Sequence, residues 1–333
     1  MTCDSVSHEC RLGPNDGDGE EAGLSIRWVM VLTENDAIVD PRDLGGLVEL
    51  AVTAERHGVD AVMLSDHIAL GASAGANGVM ENLRDYAAPG NQDPATAWPS
   101  SLVLMSAIAQ ATTTLRLVAG AIIFPLRHPL LLAKDLGTLD LLSQGRLVVL
   151  PTVSWHDDEY AALGMPFHRR GAILDEQLDI VTRAWQGGPV RHEGEFYRFD
   201  DVWLEPGPFR PGGPALWFGG QGMHPPLVRR IVQYGSGLNP FGTLTADDLA
   251  GLERAMTDAG RTMSELELVG GIRGRFDGPD AVADLDEALA ALPRQLEQGY
   301  TSICFKPAMF CRTVDEVPEL IARLHAAGEA LGA

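Results

Sequence analysis

The feature that most constrains this chain is a repeated alternation between short β-rich apolar runs and longer segments with helical periodicity. The alternation begins with an apolar run at residues 26–32 and a helical pattern at 41–57, and it continues to the end of the chain. Strands that alternate with helices in this way predict parallel βα units. Eight such units close a (β/α)8 barrel, so we predict an α/β fold consisting of a single TIM barrel with inserted loops.

The other predicted elements follow the same order. The later strands are expected at 61–64, 115–124, 146–150, 214–218, 237–240, 266–271 and 302–305. The later helices are expected at 98–110, 129–143, 171–185, 225–234, 246–259, 281–298 and 314–331. Two segments interrupt the alternation. Residues 71–96 are rich in Gly, Asn and Pro, which predicts a functional lid or a mobile loop, and the aromatic-rich segment 189–206 predicts a small inserted β-hairpin.

Charge excludes several kinds of partner. The chain has 46 acidic and 25 basic residues and a formal net charge of −21. Such a surface repels nucleic acid and anionic membranes, so we expect neither as a partner. The sequence has no apolar run of about 18 residues that would span a membrane. It also lacks a signal-peptide pattern, so we expect a cytoplasmic protein.

The first 23 residues differ in composition from the rest of the chain. They are polar and acidic and lack apolar periodicity, which predicts a disordered tail before a barrel domain at 24–333. Cys3, His8 and Cys10 in this tail form only a partial zinc pattern without a fourth ligand. The sequence has no His-x-His and no Gly-x-Ser-x-Gly motif. We therefore expect neither metal-dependent hydrolysis nor acyl transfer by a serine nucleophile.

Catalytic residues of such barrels lie at the carboxyl ends of the strands, where Asp66 and His67 follow the second strand. A carboxylate beside an imidazole tunes proton transfer near neutral pH. In the alternative interpretation, Asp66 caps the loop backbone and His67 faces solvent.

The ends of the third and fourth strands supply further site residues. Gly120 interrupts an apolar strand, which indicates either a bulge close to a ligand or a small residue in a barrel layer. After the fourth strand, Ser154 and Trp155 are suited to contact a flat cofactor, and His156 offers a proton donor. The acids at 157–159 that follow are expected to form the first turn of a helix, where the helix dipole favours negative charge.

Gly219 and Gly220 end the fifth strand just before a helix. Backbone N–H groups at such a position suit a phosphate, although many βα turns need glycine for conformation alone. Arg169 and Arg170 lie in the loop after the fourth strand. They either bind that phosphate through charge-assisted hydrogen bonds or lie in solvent.

These segments, in this order, resemble the bacterial luciferase-like monooxygenase family, whose members use FMN or the deazaflavin coenzyme F420. The matching stretches are AERHGVDAVMLSDHI (54–68), TTTLRLVAGAIIFPLRHPLLLAKDLGTLDLLSQGRLVVL (112–150), FHRRGAILDEQLDIVTRAW (167–185) and the segment from EGEFYRFDDVWLEP to PALWFGG (193–220). The resemblance covers about half of the chain, and its Arg-His-Pro and Trp-Phe-Gly-Gly segments are distinctive.

The resemblance implies a cofactor that lies across the carboxyl ends of the strands. It implies a bulge in the third strand, often a non-prolyl cis peptide, near Gly120 and Ala121, and a phosphate region at Gly219 and Gly220. In family members that use the deazaflavin, an Asp-His pair contacts the ring system, and this pair corresponds to Asp66 and His67.

The chain also departs from its family. Some sugar-phosphate dehydrogenases of the deazaflavin branch have a glutamate after the fourth strand, where this chain has Trp155. The glycine pattern of many relatives in the fourth strand is replaced by Pro-Thr-Val-Ser at 151–154. These departures argue against the sugar-phosphate reaction and leave the acid–base role to His67 or His156.

We therefore predict an oxidoreductase that uses coenzyme F420 for hydride transfer to or from a small organic substrate, with His67 as the first candidate for proton donor. One alternative is an FMN-dependent monooxygenase that uses reduced flavin and O2. In that case a flavin reductase would be the partner that supplies the reduced flavin. Another is a family member that binds a flavin without turnover. Family members are commonly homodimers. The predicted helices 98–110 and 129–143 are apolar, and they are consistent either with a contact between two subunits across a two-fold axis or with packing in the core.

Overall fold

The chain forms ten strands in the computed structural model, which describes residues 26–242 and 244–332. In chain order they are β1 (Arg27–Val31), β2 (Ala61–Leu64), β3 (Arg116–Ile123), β4 (Leu147–Thr152), β5 (Pro189–Glu193), β6 (Arg198–Trp203), β7 (Ala215–Phe218), β8 (Gly237–Leu238), β9 (Glu267–Gly271) and β10 (Ser302–Phe305). The predicted tail at 1–23, with Cys3, His8 and Cys10, lies outside the described residues.

Eight of these strands close a barrel in the order β1, β2, β3, β4, β7, β8, β9, β10, and β10 pairs again with β1. All of the pairings in the barrel are parallel. The remaining two, β5 and β6, pair with each other as an antiparallel hairpin. The predicted (β/α)8 barrel and its inserted hairpin are both confirmed.

The helices surround the barrel. They are α1 (Leu44–Arg56), α2 (Ser101–Ala111), α3 (Pro129–Leu142), α4 (Asp157–Ala162), α5 (Arg170–Ala184), α6 (Pro225–Tyr234), α7 (Ala246–Asp258), α8 (Leu285–Leu289), α9 (Leu292–Glu297), α10 (Pro307–Phe310) and α11 (Val317–Ala330). The single helix predicted at 281–298 is wrong, because α8 and α9 divide this segment. Pro293 lacks an N–H group and its ring clashes with the preceding turn, so an unbroken helix cannot pass through it.

Side chains alternate between two apolar layers along each strand, as the two-residue period of a strand requires. On β1, Trp28 and Met30 pack outward against the helices, whereas Val29 and Val31 point into the barrel. The inward-pointing residues form an interior cluster of Val29, Val31, Ala61, Met63, Val118, Val148, Leu150, Trp217, Val269 and Cys304. This packed interior supports the mouth of the barrel, where the strands have their carboxyl ends.

The loop at 71–96 crosses this mouth and is held along its length. It contains one 3-10 turn, at Ala72–Gly75. Within the loop, the N–H groups of Gln92 and Asn77 donate to the carbonyls of Ala74 and Gly90 at 2.8 and 2.6 Å. Farther along, the amide of Asn82 donates to the carbonyl oxygens of Gly278 and Ala281 at 2.8 and 2.9 Å. These bonds join the loop after β2 to the segment that follows β9 on the other side of the barrel.

Glu55 near the end of α1 fixes the entry to β3. Its Oε1 accepts hydrogen bonds from the N–H groups of Thr113, Thr114 and Leu115 at 2.7, 2.6 and 3.0 Å. Desolvation raises the pKa of Glu55, but these hydrogen bonds outweigh that effect and lower the pKa to about 2. The ionised carboxylate therefore stabilises the folded protein.

We expect Glu55→Gln to lower the free energy of unfolding at pH 7 by about 1–2 kcal/mol, because the hydrogen bonds lose a charged acceptor. The pKa of Glu55 is lower in the folded than in the unfolded protein. The stability that it contributes is thus complete above about pH 4.5 and is lost as the pH falls toward about 2. Urea unfolding at pH 7 and pH 3 measures this trend. Glu49→Gln, at an exposed position of the same helix, is the control, and equal losses in both variants would contradict the assignment.

Candidate functional site

The end of β2 places His67 in an aromatic enclosure at the mouth of the barrel. The side chain of His67 is 9% exposed. Its ring centroid lies 4.9 Å from that of Trp98 and 6.0 Å from that of Trp155, and both contacts are edge-to-face. The interpretation in which His67 faces solvent is therefore wrong.

Glu159, in the first turn of α4, orients this imidazole. Its Oε2 lies 3.1 Å from Nδ1 of His67. Its Oε1 accepts hydrogen bonds from the N–H groups of Ile68 and Ala69, and the residue is almost wholly buried. No polar atom of the described residues lies within hydrogen-bonding distance of Nε2 of His67, which leaves that nitrogen for a ligand. Such a carboxylate–imidazole pair is a usual arrangement for a proton-transferring histidine.

The role of Glu159 was not predicted from the sequence. The acids at 157–159 were predicted to form the first turn of a helix, and this prediction is confirmed, because α4 begins at Asp157. Of these three residues, only Glu159 is buried. No sequence signal distinguishes it from its two neighbours, since its contact with His67 joins residues 92 positions apart.

The carboxylate of Asp66 is bound by donors from the chain itself. Arg127 donates from Nη1 to Oδ2 at 2.6 Å and from Nη2 to Oδ1 at 2.9 Å. The hydroxyl of Ser101 and the N–H of Ile123 each add a bond of 3.1 Å. These four bonds connect the end of β2 to β3 and to the segment before α3. The predicted contact of Asp66 with a cofactor stays a prediction.

The bulge predicted in the third strand is present. The register of β3 against β4 shifts between Gly120 and Ile122, and the Gly120–Ala121 peptide bond is cis, as the family resemblance implied. A Cβ atom at Gly120 would lie 3.1 Å from Cγ of Met63 and 3.2 Å from Cγ1 of Val118. Ala121 is partly buried against the interior cluster. The bulge therefore turns the backbone of β3 toward the mouth.

Ser154, Trp155 and His156 follow β4 as predicted. Ser154 has a positive φ of 59°, and its Oγ accepts the N–H of His156 at 3.3 Å. The ring of Trp155 lies 4.9 Å from that of His156. His156 is fully buried, and its Nε2 accepts the N–H of Gly71 at 2.7 Å, while Nδ1 lies 3.4 Å from Oγ of Ser73. The structure thus connects His156 to the loop, and its role as a proton donor stays a prediction.

The segment after β7 offers backbone donors, but the helix that follows does not. Pro225 and Pro226 begin α6 without N–H groups, and the side chain of His224 caps the N–H of Leu227. In the described part of the chain, the N–H groups of residues 220–223 donate to no other residue. A phosphate at Gly219 and Gly220 would therefore be bound by the loop rather than by the helix N-terminus.

Arg169 and Arg170 are occupied elsewhere. Arg169 donates to both carboxylate oxygens of Glu195 at 2.7 Å. The guanidinium of Arg170 lies 3.8 Å above the ring of Phe167 and donates to its carbonyl at 2.9 Å. The predicted contact of these arginines with a phosphate stays a prediction.

The structure thus combines a closed (β/α)8 barrel with a buried carboxylate–imidazole pair at its mouth. The sequence profile of the luciferase-like monooxygenase family matches residues 27–325. The chain belongs to this family.

Relatives of this chain differ in the cofactor that they use. The chain is 28% identical over 284 residues to the F420-dependent glucose-6-phosphate dehydrogenase of Nakamurella multipartita. The aligned residues cover 82% of this chain and 75% of the relative. It is 25% identical over 173 residues, 51% of this chain and 41% of the relative, to the oxygenase component of a flavin-dependent trigonelline monooxygenase of Acinetobacter baylyi. An uncharacterized protein of Mycobacterium tuberculosis is 36% identical over 115 residues, 34% of this chain and 40% of its own length.

Solved structures share the fold. The monooxygenase RslO1 of Streptomyces bottropensis superposes with a TM-score of 0.68 at 18% identity, over 91% of this chain and 98% of that chain. An F420-dependent secondary alcohol dehydrogenase superposes with a TM-score of 0.67 at 15% identity, over 91% and 99%. At these identities the likeness concerns the fold alone.

Two further structural properties bear on partners. Within residues 26–242 and 244–332, no helix is both long and apolar enough to cross a membrane. The same residues contain no group of three or more His, Cys, Asp or Glu side chains placed to hold a metal ion.

Gly219 is the glycine of this site that tolerates a side chain least. A Cβ atom there would lie 2.0 Å from the carbonyl oxygen of Asn239, whereas a Cβ at Gly222 meets nothing within 4 Å. We expect Gly219→Ala to destabilise the protein by about 1–3 kcal/mol, because β7 and β8 must separate at the mouth. Gly222→Ala, in the same loop, is the matched control. Thermal unfolding measures both variants, and an unchanged midpoint for Gly219→Ala would contradict the packing argument.

Proposed function

We propose that this protein is an oxidoreductase that uses coenzyme F420 to transfer hydride to or from a small organic substrate. The observation that carries the proposal is the buried pair of His67 and Glu159, which lies at the mouth of the closed barrel. Of the three relatives compared by sequence above, the one that matches the largest share of this chain is F420-dependent, which supports the choice of cofactor.

His67 is assigned the proton transfer. With Glu159 ionised, Nδ1 of His67 donates its proton to the carboxylate, and Nε2 is left to accept or give a proton at the substrate. The negative charge of Glu159 stabilises the imidazolium when Nε2 is protonated. Glu159 therefore acts through His67 and is a positioning residue. His156 is assigned a positioning role as well, because it binds the loop at Gly71.

The residues present fit a flavin-type cofactor. A backbone bulge at Gly120 and Ala121 offers a surface for a planar ring, and unpaired N–H groups in the loop after Gly219 and Gly220 offer donors for a phosphate. When bound, the deazaflavin supplies a carbon that takes up or gives hydride. Ser154 and Trp155 at the end of β4 would contact the ring system.

The substrate is expected to be partly apolar. Trp98 and Trp155 enclose His67 on two sides, and such rings exclude water from the site of proton transfer. Trp155 also occupies the place of the family glutamate, so the sugar-phosphate reaction of the Nakamurella relative is not the reaction that we propose for this chain.

The second candidate is an FMN-dependent monooxygenase. The trigonelline relative, an oxygenase component, supports it. In that case a flavin reductase would supply reduced FMN, and O2 would be the co-substrate. The third candidate, a member that binds a flavin without turnover, leaves the buried pair of His67 and Glu159 without a purpose.

The test of the cofactor is a parallel fluorescence titration of the purified protein with F420 and with FMN. Saturable binding of F420, with weaker or no binding of FMN, is the expected result. Preferential binding of FMN would establish the monooxygenase alternative. Binding of neither would overturn the proposed function.

Once a turnover assay is in hand, we expect His67→Ala to lower kcat by about 10²- to 10⁴-fold, because the proton donor is lost. Glu159→Gln should lower kcat less and shift its pH profile, because the orientation and charge stabilisation of His67 are lost while the ring remains. Asp157→Asn, at an exposed position of the same helical turn, is the matched control. The affinity for the cofactor should be similar in Glu159→Gln and Asp157→Asn. Unchanged turnover in His67→Ala would refute the assignment.

We also propose that the protein is a homodimer formed through α2 and α3. Val103 on α2 and Leu131 on α3 are 71% and 62% exposed, and these two helices pack against each other, so both apolar side chains are available to a partner subunit. We expect Leu131→Lys to shift the protein from dimer to monomer in light scattering. Leu331→Lys, at another exposed leucine, should leave the dimer intact. A monomeric wild type would refute the proposal.

A further inference from the structure

A segment of the loop, residues 82–87, is fastened across the mouth of the barrel. Arg84 donates to the carbonyl oxygens of Ala308 and Cys311. Arg273 forms an ion pair of 2.9 Å with the side chain of Asp85. These contacts come from the segments that follow β9 and β10, including α10, on the side of the barrel opposite β3. The segment is therefore part of the wall of the mouth.

Tyr86 is the residue that this segment presents to the barrel. Its ring packs against the interior cluster, which Ala121 of the β3 bulge also contacts. The phenol therefore lies over the centre of the barrel, facing the region where the family places its cofactor and substrate.

Lys306 at the end of β10 holds Tyr86 in place. This lysine is fully buried, and its Nζ donates to the backbone carbonyl of Asp85 at 2.6 Å. The same Nζ lies 5.1 Å from the centre of the Tyr86 ring, within the range of a cation–π contact. A buried lysine is uncommon in proteins, and this one fixes the backbone of Asp85 and the ring of Tyr86.

Among the described residues, the hydroxyl of Tyr86 forms no hydrogen bond. Tyr86 is half-buried, and its hydroxyl is not one of the fully buried polar atoms that lack a partner, so it is open at the mouth of the barrel. Burial raises the pKa of Tyr86 well above its usual value, and Glu34 raises it further. The phenol therefore keeps its proton and is a hydrogen-bond donor that awaits an acceptor.

We propose that Tyr86 is a specificity-determining residue that donates a hydrogen bond to the carbonyl oxygen of a small, uncharged substrate, and that Lys306 is its positioning residue. The carboxylates of Glu34 and Asp85 and the cations of Lys306 and Arg273 all lie close to this position, so their charges offset one another and select no ionic ligand. The proposal rests on the proposed function for the location of the substrate, but its test needs no cofactor.

The test compares two probes of equal shape, cyclohexanone and methylenecyclohexane, in ligand-observed NMR titrations of the full chain. We expect the wild-type protein to bind the ketone about 3- to 10-fold more tightly, as one hydrogen bond supplies. In Tyr86→Phe the affinity for cyclohexanone should fall to that for methylenecyclohexane, with the latter unchanged. A wild type that does not prefer the ketone, or that binds neither probe, would overturn the proposal, and so would a preference that survives in Tyr86→Phe.

Lys306→Met tests the positioning role. The chain has two lysines, Lys134 and Lys306, and Lys134→Met on α3 is the matched control. We expect Lys306→Met to weaken the ketone preference and to speed amide hydrogen exchange in residues 82–87. Tyr86→Phe should leave that exchange unchanged. Unchanged exchange and preference in Lys306→Met would remove Lys306 from the proposal. Binding of neither FMN nor F420 would refute the proposed function while leaving the result with the two probes intact.

Discussion

The site depends first on the buried carboxylate of Asp66. Its two oxygens bind the guanidinium of Arg127, the hydroxyl of Ser101 and the N–H of Ile123, so a single side chain joins β2, α2 and β3. Removal of the carboxylate would leave the charge of Arg127 without its partner, and such losses are strongly destabilising for a buried pair. Asp66 also fixes Ile123, two residues beyond the cis peptide, and it immediately precedes His67. The β3 bulge and the imidazole are therefore positioned by the same contact.

The mouth has two walls with different chemistry, and the loop at 71–96 joins them. On one side, His156 accepts the N–H of Gly71, close to the pair of His67 and Glu159. On the other side, Lys306 binds the carbonyl of Asp85. The first wall carries the group that we assign to proton transfer, whereas the second carries a phenol that only donates. A loop fixed at both walls keeps the imidazole of His67 and the phenol of Tyr86 at a fixed distance from each other. A small substrate can be oriented only between groups whose positions are fixed in this way.

The sequence predicted the architecture better than the contacts within the site. Periodicity was sufficient for eight βα units and for the hairpin, because each depends on local pattern. The cis peptide at Gly120–Ala121 came from family resemblance alone. The break at Pro293 and the prolines that begin α6 are encoded locally, because proline has no N–H group. The pairing of Glu159 with His67, and of Lys306 with the loop, joins residues 92 and more than 200 positions apart. No local pattern encodes such contacts.

The pairing of charged side chains around the mouth bears on which groups are left to bind an anionic cofactor. Three arginines around it are each paired with a carboxylate: Arg127 with Asp66, Arg169 with Glu195 and Arg273 with Asp85. In a chain with a net charge of −21, these pairs offset acidic side chains and leave less positive charge for an anionic cofactor. Under the proposed function, the N–H groups of residues 220–223, which donate to no other described residue, would attract a phosphate without adding a charge. Binding through such dipoles depends on fixed geometry, and Gly219 approaches Asn239 too closely to accept a side chain.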